Sequence, residues 1–179
     1  MKGVVFTEFL TMVEKQYSED MVDDVIDDAE LPSGGAYTAV GTYDHKEMVQ
    51  LLVQLSKKTG IDPSALLNAF GHHLFVALST GYPQYVEGME SSFEVLDQLE
   101  PFIHVEVKKL YPDAELPEFE TTYITDDAMG MIYRSPRCLG DLCQGLMEAC
   151  FAAFKENIEL SRADEAEGRI VRFDHKKVA

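Results

Sequence analysis

The sequence predicts an α+β fold in a single domain over residues 1–179, a helical lobe at roughly 1–62 followed by an α/β lobe at roughly 63–179. Three observations predict it. The first half repeats apolar residues at steps of three and four between capping signals. From Leu116 the texture changes to short runs rich in Thr, Tyr, Ile, Val and Phe around acidic or glycine-bearing turns. One mostly apolar helical stretch separates two pairs of such runs, giving a β-β-α-β-β order.

In "MKGVVFTEFLTMVEKQ", Val5, Phe9, Met12 and Val13 recur at helical spacing, and "MVDDVIDDAEL" predicts a second, shorter helix. "PSGGAYTAVGTY" breaks the pattern. Asp44 with Glu47 three residues on has the form of a capping box opening "HKEMVQLLVQLSKKT", and Gly60 is its stop. Asp62 and Pro63 repeat the start signal as N-cap and first helical residue of "SALLNAFGHHLFVALST", closed by Gly81. "SSFEVLDQLEPFIHVEVKKLYP" is helical with an interruption, because Pro101 lacks the backbone donor that a continuous helix needs. "EFETTYITDDAMGMIYRS" reads as two strands around Asp126-Asp127-Ala128, "CLGDLCQGLMEACFAAFKE" as a helix, and "NIELSRADEAEGRIVRFDH" as two further strands.

With 46% hydrophobic residues, the chain is long enough to bury a core of its own. Its 32 acidic against 15 basic residues give a net charge of −17, which excludes a nucleic-acid partner, since phosphate binding needs a basic stripe. The N-terminal pattern is broken by Glu8 and Glu14 and is too short and polar for a signal peptide or a spanning helix, so no membrane insertion and a cytoplasmic location are expected. Cys138, Cys143 and Cys150 are placed on one helix as reduced core residues.

The segment "IYRSPR" sets Tyr133, Ser135 and Arg137 at alternate positions, and in an extended strand these share a face. That face carries three hydrogen-bond donors and suits an anionic acceptor. Among five histidines, His45 and His175 stand in polar surroundings where solvation is expected. His72 and His73 are adjacent, so they point about 100° apart on a helix and do not form an i, i+4 metal pair. His104 follows the Pro101 break one residue off the apolar stripe. The residues alone leave open a hydrogen-bonded core histidine or a ligand; with no second ligand at metal spacing, the ligand reading requires a macrocycle around the metal, the condition met by haem iron. The row of donors could then hold haem propionates, Arg137 by a charge-assisted contact.

"FIHVEVKKLYPDAELPEF" together with "YRSPR" resembles the haem nitric oxide/oxygen-binding (H-NOX) domains, the module also found in soluble guanylate cyclase. The beginning "MKGVVFTEFLTMVE" is similar to that family's start, and the resemblance covers essentially the whole chain. It implies a helical lobe joined to a lobe with a four-stranded antiparallel sheet, and haem b as cofactor. It further implies His104 as the proximal iron ligand, Tyr133, Ser135 and Arg137 on the propionates, and Pro117 pressing on the porphyrin. Family members that hold oxygen carry a distal tyrosine supported by a tryptophan and an asparagine; the matching positions here are Leu142, Phe9 and Leu74.

With Val5, Leu78 and Leu146 beside them, these residues make an apolar pocket, so the resemblance implies a ferrous haem that binds nitric oxide and carbon monoxide but not oxygen. In the family, nitric oxide weakens the bond to the proximal histidine and the helix bearing it shifts. A chain ending at Ala179 is expected to act as a stand-alone sensor on a partner, a histidine kinase or a cyclic-di-GMP enzyme. Zinc binding, found in some relatives, is not expected, since of its cysteines only Cys138 is available. A haem peroxidase or oxygenase needs a distal acid or base, or a thiolate below the iron, so no enzyme is expected. The alternative reading is a haem-free interaction module in which "YRSPR" is a docking edge.

Overall fold

The computed structural model describes residues 1–178. Its first helix, α1 (Gly3–Gln16), turns Phe6, Phe9, Met12 and Val13 to the interior, as their spacing requires. α2 (Glu19–Asp27) starts earlier than its apolar run, because the Ser18 hydroxyl accepts from the Met21 amide at 3.1 Å. α3 (His45–Thr59) is capped by Asp44, which accepts from the Lys46 amide at 3.0 Å, and it stops at Gly60 with φ of 72°. The capping box is only half formed. Glu47 does not turn back to the cap; it is buried and accepts from the Tyr37 hydroxyl at 2.9 Å and from Ser33. Burial of this cluster pushes the Tyr37 phenol up to about 12. Glu47 therefore anchors the loop ahead of α3.

α4 (Pro63–Gly81) begins as expected, Asp62 accepting from the Ser64 amide at 2.9 Å with Pro63 in the first turn. α5 (Ser92–Asp97) and α6 (His104–Leu110) are the two halves of the interrupted helix. Between them, Leu99–Ile103 form a wide turn in which the Gln98 carbonyl accepts from both Phe102 (3.2 Å) and Ile103 (2.9 Å). A π-type widening of this kind accommodates a residue such as Pro101 that donates no bond of its own.

β1 (Glu118–Ile124), β2 (Ala128–Arg134), β3 (Ile158–Glu165) and β4 (Ile170–Lys177) form one antiparallel sheet in the order β1-β2-β4-β3. α7 (Gly140–Ala153) lies between the hairpins in sequence and covers the sheet with Cys143, Met147 and Phe151. One buried cluster joins α1 to α4 and includes Leu142 of α7; a second joins α5, α7 and the sheet. Phe6 and Phe9, fully buried in the first, each contribute about 1.5–3 kcal/mol of transfer free energy.

The two clusters meet where α4 crosses α7. A Cβ at Gly71 would run into the Leu142 carbonyl oxygen, and one at Gly145 into that of Asn68. The two backbones therefore approach as closely as they do only because both positions lack a side chain. Asn68 and His72 reach across the same crossing to Glu148, at 3.0 and 3.1 Å.

His175 departs from expectation. Alternation along β4 turns Val171, Phe173 and His175 inward, and His175 is 1% exposed among Phe93, Phe151 and Phe173. Its Nδ1 contacts the Met129 carbonyl oxygen at 3.2 Å, and Nε2 has no partner among the described residues. Burial lowers its pKa to about 4. Cys143 and Cys150 are buried, as expected, whereas Cys138 precedes α7 and is exposed at positive φ.

Two outcomes follow from this packing. Gly145→Ala should destabilise the protein by about 1–3 kcal/mol in urea unfolding despite alanine's better helix propensity, because the overpacking outweighs a gain of about 1 kcal/mol. Gly81→Ala, with open space around it, should not destabilise. For His175 the unfolded chain takes up a proton near pH 6.5 while the fold keeps the ring neutral to about pH 4. Its contribution to stability is thus complete above about pH 6.5 and is lost as pH falls toward 4. Urea midpoints measured from pH 7 to pH 4.5 should decline less steeply in His175→Phe than in the wild type.

Candidate haem site

A cavity of about 350 Å³ lies between the two clusters, within the size range of small-molecule sites. One wall carries a histidine. α6 starts at His104 directly after the wide turn, so its ring lines the cavity with Ile103 and Val107 beside it. Nδ1 of His104 is 2.9 Å from Glu100 Oε1, and no described residue bonds to Nε2. Burial holds the imidazole pKa below its ordinary value, with Glu100 opposing, so the neutral ring is favoured. Neutral imidazole is the form that ligates a metal.

Another part of the lining is aliphatic. Val5 of α1, Leu74 and Leu78 of α4, and Leu142 and Leu146 of α7 all line it. The Gly71–Gly145 crossing is what brings the last four together. Phe9, expected beside them, is absent from this lining: it is fully buried beneath the wall and packs edge-on against Phe70, with ring centroids 5.2 Å apart. Helical spacing alone does not distinguish the layer that faces the cavity from the layer behind it.

A third side is polar. Tyr133, Ser135 and Arg137 all line the cavity, but not as one strand face. β2 ends at Arg134, the Ser135 amide donates to the Arg169 carbonyl oxygen at 2.9 Å, and the chain turns at Pro136. Only Tyr133 is in the strand, its hydroxyl accepting from the Leu139 amide at 3.2 Å. Ser135 Oγ accepts from the Arg137 amide at 3.2 Å. The Arg137 guanidinium donates to the Glu115 carbonyl oxygen at 2.7 Å and to Glu115 Oε2 at 2.6 Å, so a carboxylate already lies in its fork. Glu115 is mostly exposed while Arg137 is largely covered, which makes the acid the exchangeable partner. Pro117 lines the cavity in the link between α6 and β1.

Several participants escaped the sequence reading. Glu100 was legible as the helical neighbour of His104 four residues on, whereas Glu115 has no local signal. Cys143 and Cys150 also line the cavity, where burial raises both thiols, Cys150 to about 12, and keeps them protonated. His72 and His73 lie elsewhere, hydrogen-bonded to Glu148 and to Glu8 at 3.1 and 3.0 Å. No helix is long and apolar enough to cross a membrane among the described residues.

The family model for haem-NO-binding domains matches residues 2–162. The H-NOX protein from K. algicida, solved in its unliganded Fe(II) form, is 39% identical over 100% of this chain and 97% of its own, with a TM-score of 0.95. The H-NOX from Shewanella woodyi, solved in the Fe(II)CO state with IWP-051 bound, is 37% identical over 99% of this chain and 95% of its own, with a TM-score of 0.85. An H-NOX protein from S. oneidensis in the Fe(II)NO state shares the fold at 20% identity, with full coverage of both chains and a TM-score of 0.92. No curated protein matches. This chain belongs to the haem-NO-binding (H-NOX) family, whose members are haem-based gas sensors.

Proposed function

We propose that this chain is a nitric oxide sensor, in which His104 ligates a ferrous haem b that takes nitric oxide and carbon monoxide but not oxygen, and which signals to a partner protein. The observation that carries the reading is the state of His104: one ring nitrogen is committed to Glu100, the other has no partner among the described residues, and the ring lines a largely apolar cavity. The remaining walls fit the same group. The aliphatic side suits a porphyrin face, and Arg137, with a carboxylate in its fork and Tyr133 and Ser135 alongside, suits a propionate. Bound there, haem supplies the iron to which a diatomic gas adds.

Selectivity comes from the distal wall. Bound oxygen places negative charge on its outer atom and needs a donor in a low-dielectric site, whereas nitric oxide and carbon monoxide bind with little charge separation. Val5, Leu74, Leu78, Leu142 and Leu146 offer no donor. Tyr82, Tyr85 and Tyr111 also line the cavity, and the Tyr82 and Tyr111 hydroxyls bond to each other at 3.4 Å.

Signalling follows from how His104 is mounted. The wide turn at Leu99–Ile103 separates α6 from α5, so α6 can shift without dragging the buried α5 with it. As a ligand His104 would hold α6 in place, and once released it would free α6 to shift, with Pro117 in the link to β1 following it. The partner best suited to such an output is a histidine kinase or a cyclic-di-GMP enzyme, and a cytoplasmic location agrees with both.

His104→Gly, expressed with exogenous imidazole to retain haem, tests the mechanism. Its effect on the partner's activity should equal that of nitric oxide-treated wild type; an effect equal to that of unliganded wild type contradicts the release step. Leu142→Tyr tests selectivity. It should create a weak oxygen complex, with affinity raised roughly 5–10-fold by one net hydrogen bond, and an unchanged ferrous spectrum in air contradicts the single-donor account.

A further inference from the structure

We propose that Glu100 is the positioning residue for His104, fixing which ring nitrogen faces the cavity and tying the ligand to the edge of the sheet. This rests on the reading of His104 as the haem ligand. Glu100 Oε1 makes two contacts of equal length, 2.9 Å to His104 Nδ1 and 2.9 Å to the Phe119 amide. The amide can only donate, so Oε1 acts there as an acceptor. The same atom acts as acceptor toward His104, which puts the imidazole proton on Nδ1 and leaves the Nε2 lone pair for a metal.

An acidic acceptor does more than orient the ring. A hydrogen bond from Nδ1–H to a carboxylate raises the basicity of the other nitrogen and strengthens its bond to a metal, more than a neutral carbonyl would. The placement depends on the local fold. Glu100 lies inside the wide turn and His104 is the first residue of α6, so the pair spans the junction between two segments that Pro101 prevents from forming one continuous helix.

The second contact explains why the junction stays put. Phe119 is near the start of β1, two residues past Pro117, and its ring lies 5.7 Å from that of His104 and 5.6 Å from that of Tyr133. Glu100 thus joins the ligand helix to the strand edge through one oxygen atom. A shift of α6 that draws His104 from the cavity must stretch or break this bifurcated contact. Glu100 therefore sets both the strength of the proximal bond and the resistance of α6 to moving.

The test compares wild type with Glu100→Gln and Glu100→Ala. In apoprotein, nitrogen-15 shifts of the His104 ring report the tautomer directly: wild type should be mainly Nδ1–H, and Glu100→Ala should move the population toward Nε2–H. In the reduced haem-loaded protein, the iron–histidine stretching frequency should fall in Glu100→Ala, with Glu100→Gln intermediate because its amide oxygen still accepts without charge. Haem loss to a scavenger should quicken by about 10-fold or more. Should Glu100→Ala fail to fold, Glu100→Gln and the wild-type tautomer carry the test. An Nε2–H tautomer in wild-type apoprotein, or an unchanged stretching frequency in variants with full haem content, overturns the role of Glu100 and leaves the haem reading standing. A wild type that takes up no haem overturns the haem reading instead, and the apoprotein tautomer still decides the Glu100 contact.

Discussion

The site depends on a single division of labour within one imidazole. His104 Nδ1 is held by Glu100 at 2.9 Å, and Nε2 has no partner among the described residues, in a cavity whose lining is largely aliphatic. Pro101 makes the arrangement reachable. Without a backbone donor at that position the helix opens into a wide turn, and α6 restarts at His104 with its own orientation. The separation of α6 from α5 and the placing of His104 at the cavity thus have one covalent cause.

The aliphatic part of the lining depends on a different constraint. The side chains of α4 and α7 can meet across the cavity only if the two backbones come close, and Gly71 and Gly145 permit that approach. Leu74, Leu78, Leu142 and Leu146 then give this part of the lining no side-chain donor. Polar groups at the crossing, Asn68, His72 and Glu148, satisfy one another away from the cavity. Keeping donors out of the aliphatic lining and holding the two helices together are therefore achieved by different residues on the same pair of helices.

What was legible in the sequence was local. Asp44, Gly60, Asp62 and Pro63 mark helix ends through contacts within a few residues of themselves, and the structure places those ends where the signals stand. Strand alternation and the Pro101 break are local in the same sense. What was illegible depended on distant partners. Glu47 satisfies the pattern of a capping box, yet Tyr37 and Ser33 outcompete the cap for it. Ser135 still bonds to Arg169 in the register of β2 with β4, and the turn at Pro136 takes Arg137 off the strand. Phe9 has the right helical phase for the cavity but is one layer behind it, against Phe70. His175 was misjudged for its polar neighbours, although its alternation with Val171 and Phe173 already pointed inward.

The most direct measurement is the absorption spectrum of the purified wild-type protein, reduced and recorded under argon, in air and with nitric oxide. The account predicts an intense haem band that keeps its form in air and shifts with nitric oxide. Absence of the band after haem reconstitution would contradict His104 as a ligand. A stable oxygen complex would contradict the distal wall as the basis of selectivity.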